Sequence, residues 1–226
     1  MTAPRGLFVV LEGVDGAGTT TQAERLRRSL VALGERTITT REPTPGPIGS
    51  VLRQALGHRF VVPSAEGPRA PSWQTMALLF AADRLDHLEA EIEPALAAGR
   101  IVVSDRYDLS SLAYQTATAP ADDEAAATGW VRELNRHARR PDVTIVLHVR
   151  AEVAEARRLG RGGAVDLYET SDLQRRLVAA YRAAEALRPD DVFVHLDGEG
   201  TEDEVAAQVL SAVCLCRVAR QGAAKT

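Results

Sequence analysis

A chain of 226 residues, 45% apolar and 26% charged, is long enough for one globular domain with a sizeable core. Its formal net charge of -4 argues against a general nucleic-acid binder, which needs a basic face, but leaves room for small anions held by a local cluster of cations. No apolar run reaches the length of a membrane span and the N-terminus "MTAPRG" carries no signal-peptide hydrophobic segment, so a cytoplasmic chain is expected.

The elements follow in chain order. "LFVVLE" (7–12) is a short apolar run ending in glycines, as expected of a buried parallel strand. A helix follows, with Leu26, Leu30 and Leu33 at core-like spacing and Gly34 as its stop. "RTITTR" (36–41) reads as a second strand, and the Pro- and Gly-rich residues 43–47 as loop. Residues 72–98 form one long helical pattern, bent near Pro94 and ended by Gly99. "RIVVSD" (100–105), "DVTIVLHV" (142–149) and "DVFVHLDG" (191–198) complete five strands, and a last helix covers about 201–220. "GRGGAV" (160–165) is a basic, glycine-rich break. Strands alternating with helices give a parallel sheet covered on both faces, in one domain spanning 1–226. Cys214 and Cys216 are two apart, so on a helix they do not share a face, and the five histidines have no ligand-like spacing.

The most informative stretch is "LEGVDGAGTTTQ" (11–22), placed between the first strand and the first helix. Gly13, Asp15, Gly16, Ala17, Gly18, Thr19, Thr20 and Thr21 have the makings of a phosphate loop. Glycines let backbone amides crowd around phosphate oxygens, and the helix N-terminus adds partial positive charge. The Thr20 hydroxyl would complete a magnesium shell. The pattern departs at Thr19, where a lysine is expected; threonine donates one neutral hydrogen bond and brings no charge.

Three further segments, "TREP" (40–43), "LLFAADR" (78–84) and "SDRYDLSSLAYQ" (104–115), stand in register with that loop. Together they resemble the thymidylate kinases over roughly residues 6–200. The resemblance implies a three-layer α/β P-loop kinase: a five-stranded parallel sheet, helices on both faces and a short lid at about 157–169. It implies that Phe80 stacks on thymine, that Arg84 donates to the base, and that Asp15 accepts the deoxyribose 3′-hydroxyl. Arg106 would grip the acceptor monophosphate. Asp105, also on the acceptor side, would help Thr20 place Mg²⁺ or its waters. Ser110, Ser111, Tyr114 and Gln115 would line the acceptor pocket, with Tyr114 beneath the sugar. Arg53 and Arg41 are weaker candidates, because a surface arginine is ordinarily just solvated. Tyr181 is a further candidate to reach the nucleotide, although an aromatic in such a helical run is more often packing. In the lid, Arg157, Arg158 and Arg161 are available for donor phosphates, and Asp166 and Glu169 fit a D-R-x-E ending whose arginine is here Leu167. Residues 196–200, "LDGEG", would form part of the adenine edge.

The implied activity is transfer of the ATP γ-phosphoryl to a deoxypyrimidine monophosphate, dTMP first among them, slowed because Thr19 and Leu167 both remove a cation on the ATP side. The alternatives are a nucleotide-binding pseudokinase and a kinase for a modified pyrimidine monophosphate. The family also implies a homodimer with ATP and dTMP, rather than nucleic acid or a membrane, as partners.

Overall fold

The computed structural model describes residues 6–161, 167, 168 and 170–223. Strands β1 (Phe8–Glu12), β2 (Thr37–Arg41), β3 (Ile101–Asp105), β4 (Val143–His148) and β5 (Phe193–Asp197) form one sheet in the order β2-β3-β1-β4-β5. Every pairing is parallel. Alternation along β1 divides its side chains between two cores. Val9 and Leu11 pack with Leu26 and Leu30 on one side; Phe8 and Val10 pack with Ile92, Leu96 and Tyr107 on the other. A central strand buried on both faces needs apolar residues at every position, which is why "FVVL" has no polar alternation.

Helix α1 (Thr19–Ala32) buries Leu26 and Leu30. Leu33 does not join them and is 61% exposed. It caps the helix, and the chain turns away at Gly34, whose φ of +84° favours glycine. Helices α2 (Pro47–Leu56) and α3 (Trp73–His87) follow β2, with Ser72 capping α3 by accepting from the Thr75 amide at 3.2 Å. The expected bend before Pro94 takes the form of a π-helical turn, Leu88–Ile92, leading into α4 (Glu93–Ala97). Proline cannot supply the amide that a continuous α-helix needs, and a wider turn absorbs the mismatch.

After β3 come α5 (Asp108–Thr118) and α6 (Glu124–Leu134). Beyond β4, α7 (Ala151–Arg161) is longer than the sequence suggested, taking in Gly160 and Arg161 of the expected break. Residues 162–166 and 169, including Asp166 and Glu169, lie outside the described residues. Helices α8 (Ser171–Arg182) and α9 (Ala184–Leu187) lead to β5, and α10 (Glu202–Ala223) closes the chain. No helix among the described residues is long and apolar enough to cross a membrane. The register that pairs Leu11 with Asp105 sets the ends of β1 and β3 side by side. The loops leaving those ends form the crevice where ligands of open parallel sheets bind.

Candidate active site

Between β1 and α1 the chain makes a glycine turn. Gly16 (φ +95°) passes so close to α7 that a Cβ there would lie 2.4 Å from the Ala154 carbonyl oxygen. Gly18 (φ +94°) is the N-cap of α1 and supplies no side-chain acceptor. The first amides of α1 are therefore not capped by a side chain there, an arrangement suited to an anion. Thr19 is 6% exposed, with its methyl near Gly13; it packs under the loop. The Thr20 hydroxyl donates to Asp105 Oδ2 at 2.5 Å, while Asp105 Oδ1 is buried without a partner. A free carboxylate oxygen beside a hydroxyl fits a hard divalent cation that completes its shell with phosphate and water oxygens. No group of three or more His, Cys, Asp or Glu among the described residues could hold a metal by itself.

Beside this loop lies a cavity of about 260 Å³ between the ends of β1 and β3 and helices α2, α3 and α5. Of the ten acceptor residues expected from the sequence, nine line it: Asp15, Arg53, Phe80, Arg84, Arg106, Ser110, Ser111, Tyr114 and Gln115. Asp105 instead lines the adjoining cleft with Thr20 and Arg41. Asp105 ends β3 with its carboxylate bonded to Thr20 of α1, and Arg106 follows at positive φ.

Arg106 is the best-anchored group. It sits at φ +72°, an uncommon backbone state for a residue with a Cβ. Its Nη2 reaches Asp15 Oδ1 at 2.6 Å, and Nη1 donates to the Gly13 carbonyl (3.0 Å), Ser110 Oγ (3.1 Å) and Tyr181 Oη (3.2 Å). Tyr114 Oη donates to Asp15 Oδ2 at 3.2 Å, and the guanidinium lies 5.5 Å from the Tyr114 ring centroid. Behind them Glu12 is wholly buried and accepts from Tyr107 N, Ser110 N, Ser110 Oγ and Tyr181 Oη. Burial pushes its carboxyl up to about 7, against the pull of the Arg106 charge and those hydrogen bonds.

Arg84 reaches the cavity wall, yet most of its donors are engaged inside the protein. It pairs with Glu42 at 2.6 Å and donates to Ser111 Oγ (3.0 Å) and Asn135 Oδ1 (2.5 Å); its Nε is buried without a partner. Arg53 holds the Pro43 and Thr44 carbonyls and Ser50 Oγ. Phe80 is half-buried against Leu52, Ala55 and Met76. Glu42, Tyr107 and Tyr168 also line the cavity and were not singled out from the sequence. All three fall inside matched segments, Glu42 in "TREP", Tyr107 in "SDRYDL" and Tyr168 at the open position of the D-R-x-E ending, where the neighbouring matches could have flagged them.

On the other flank, Arg157 Nη1 lies 2.9 Å from the Gly198 carbonyl and 3.4 Å from that of Gly16, and Arg158 Nη1 donates to the Asp15 carbonyl at 2.9 Å. Gly198, in the "LDGEG" segment, donates its amide to the His148 carbonyl at 2.7 Å. Arg161 ends α7, but its side chain lies outside the described set. The amide of Leu167 bonds the Leu56 carbonyl at 3.0 Å, so it adjoins the acceptor wall.

A family model described as thymidylate kinase matches residues 11–209. The chain is 37% identical over 188 residues to a probable thymidylate kinase of Thermococcus gammatolerans, covering 82% of this chain and 86% of the relative. It is 39% identical over 212 residues to a thymidylate kinase of Leifsonia xyli subsp. xyli, covering 90% of this chain and 92% of the relative.

Proposed function

The chain belongs to the thymidylate kinase family and is a phosphotransferase, and from that premise we propose that it moves the γ-phosphoryl of ATP onto dTMP. The observation that carries this reading is the single cavity gathering Asp15, Phe80, Arg106 and Tyr114 beside a glycine loop. An anion-binding arginine, an aromatic wall and a carboxylate at sugar height suit a nucleoside monophosphate better than a bare phosphate.

A phosphate monoester has its second pKa near ~6, so the acceptor is largely dianionic at neutral pH and needs no general base. The work is to align two repelling anions and neutralise the moving charge. Arg106 holds the acceptor phosphate, with Asp15 fixing the guanidinium and accepting the 3′-hydroxyl. Phe80 meets the base, and Ser111, Gln115 and the free Nε of Arg84 supply polar contacts to its edge. Amides from Gly16 to Thr20 cradle the donor phosphates. Thr20 and Asp105 are the residues that would hold Mg²⁺ or its waters, and the bound ion would supply neutralising charge to the donor phosphates.

Thr19 leaves the amide cradle intact and removes one cation. By analogy with an arginine finger, a well-placed cation is worth ~10³–10⁵ in rate. Arg157, Arg158 and Arg161 recover part of this from α7, but long side chains place charge less accurately than a rigid loop. The natural enzyme is therefore a slow kinase with weak ATP affinity, acting as a cytoplasmic homodimer.

A coupled ADP-release assay with ATP, Mg²⁺ and a panel of monophosphates tests the reading. dTMP should turn over faster than dUMP and modified pyrimidine monophosphates. A faster modified acceptor would move the enzyme to another pathway. Binding of dTMP with no ADP release at any enzyme concentration would make it a pseudokinase.

A further inference from the structure

Gln174, on α8, is 1% exposed, and both ends of its amide are engaged. Nε2 donates to the Tyr168 carbonyl at 2.7 Å, and Oε1 accepts from Arg158 Nη1 at 3.3 Å. A primary amide can satisfy a carbonyl and a guanidinium at once; a carboxylate keeps only the second partner and an alkyl chain keeps neither.

Each partner continues to a different half of the site. The nitrogen of Arg158 that Gln174 receives also donates to the Asp15 carbonyl, on the glycine loop, at 2.9 Å. The ring of Tyr168 lines the acceptor cavity, lies 5.2 Å from that of Tyr114, and its hydroxyl accepts from Gln115 Nε2 at 3.5 Å. One buried side chain therefore joins a wall of the acceptor cavity to a cation beside the donor loop.

We propose that Gln174 is a positioning residue that couples occupancy of the acceptor cavity to the placement of Arg158 at the donor loop. The inference rests on the proposed function above. An acceptor seated against Tyr114 and Tyr168 fixes the Tyr168 carbonyl, and with it the amide plane of Gln174. The oxygen that orients Arg158 then has one position instead of several, so a donor meets an arginine already ordered. Ordering one long side chain in advance lies at the low end of known couplings between sites, which span about 5–150-fold.

Calorimetric titration of a non-hydrolysable ATP analogue with Mg²⁺ into the full chain, with and without saturating dTMP, tests this. In the natural protein dTMP should tighten analogue binding about 5-fold. In Gln174→Glu, which keeps a partner for Arg158 but cannot donate to Tyr168, and in Gln174→Leu, the tightening should vanish while dTMP still binds. A merely structural role would weaken both ligands and leave their coupling in place, and that result overturns the proposal. If both Gln174 variants fail to fold, Arg158→Ala, at a half-buried position, must abolish the same tightening, and its persistence overturns the proposal equally. Binding of both ligands to the natural chain without coupling defeats this inference alone. Absence of any dTMP binding defeats the proposed function and this inference with it.

Discussion

The acceptor cavity and the donor loop leave neighbouring strand ends, yet they are built from different materials. The cavity is made of side chains pinned by other side chains: Arg106 among Asp15, Ser110 and Tyr181, and Arg84 among Glu42, Ser111 and Asn135. The donor loop is made of backbone. Its glycines and the uncapped start of α1 present amides, and its nearby cations, Arg157 and Arg158, come from another helix and rest on carbonyls. Discrimination between bases and sugars needs side-chain chemistry held rigidly, whereas a triphosphate can be gripped by main-chain amides whatever side chains surround them. Of the two departures from the family pattern, Thr19 falls in the donor loop, whereas Leu167, expected on the ATP side, adjoins the acceptor wall through the Leu56 carbonyl. A backbone cradle tolerates a changed side chain better than a packed polar wall does.

The hardest test of this contrast is Arg84→Ala. It would leave the Glu42 carboxylate with His87 Nδ1, at 3.1 Å, as its remaining side-chain partner among the described residues, in a site where the side chains are almost wholly buried, costing about 3–5 kcal/mol of stability. Urea denaturation measures this, and a loss below about 1 kcal/mol would mean the acceptor wall is not held by its buried ion pair. Arg106→Ala should weaken dTMP binding by about 2–4 kcal/mol, by loss of a charge-assisted contact, with little change in donor-analogue affinity. Equal losses for both ligands in calorimetry would erase the division between the two sides.

Glu12 gives a pH signature of the same buried wall. Its folded pKa, about 7, stands above the ordinary 4.5, so between those values the folded state binds more protons than the unfolded one. Stability from this group is therefore lost as pH rises from about 4.5 to 7, by up to about 3 kcal/mol. Glu12→Gln should flatten that part of a melting-temperature profile relative to the natural protein; identical slopes would show that Glu12 titrates normally.

The smallest expected change is on the donor side. Thr19→Lys should raise kcat/KM for ATP by about tenfold, or about 1.4 kcal/mol, with dTMP affinity unchanged. Arg157→Ala should then harm the natural protein more than the Thr19→Lys variant. A fall in ATP turnover with lysine would mean that the loop packs around threonine and that another cation already fills the gap.

What could be read without coordinates rests on short-range rules. Five apolar runs between helical patterns gave the parallel sheet. The glycine loop was recognisable because it sits between a strand and a helix, and eight of the nine cavity residues were named because they stand in motifs with fixed spacing, Arg53 being the exception. Local periodicity could not tell that α1 stops one residue before Leu33, or that α7 continues through Gly160 and Arg161, since both depend on where the chain turns and packs. Nor could it tell that Arg84 is largely occupied by Glu42, Asn135 and Ser111, that Asp105 faces Thr20, or that Gln174 belongs to the site at all. Arg84 and Glu42 are 42 residues apart, and Thr20 and Asp105 are 85 apart. Such partners meet only once the sheet order β2-β3-β1-β4-β5 folds distant segments together. The sequence determined which groups were available, and tertiary packing decided which of them are already satisfied and which are left free to meet a ligand.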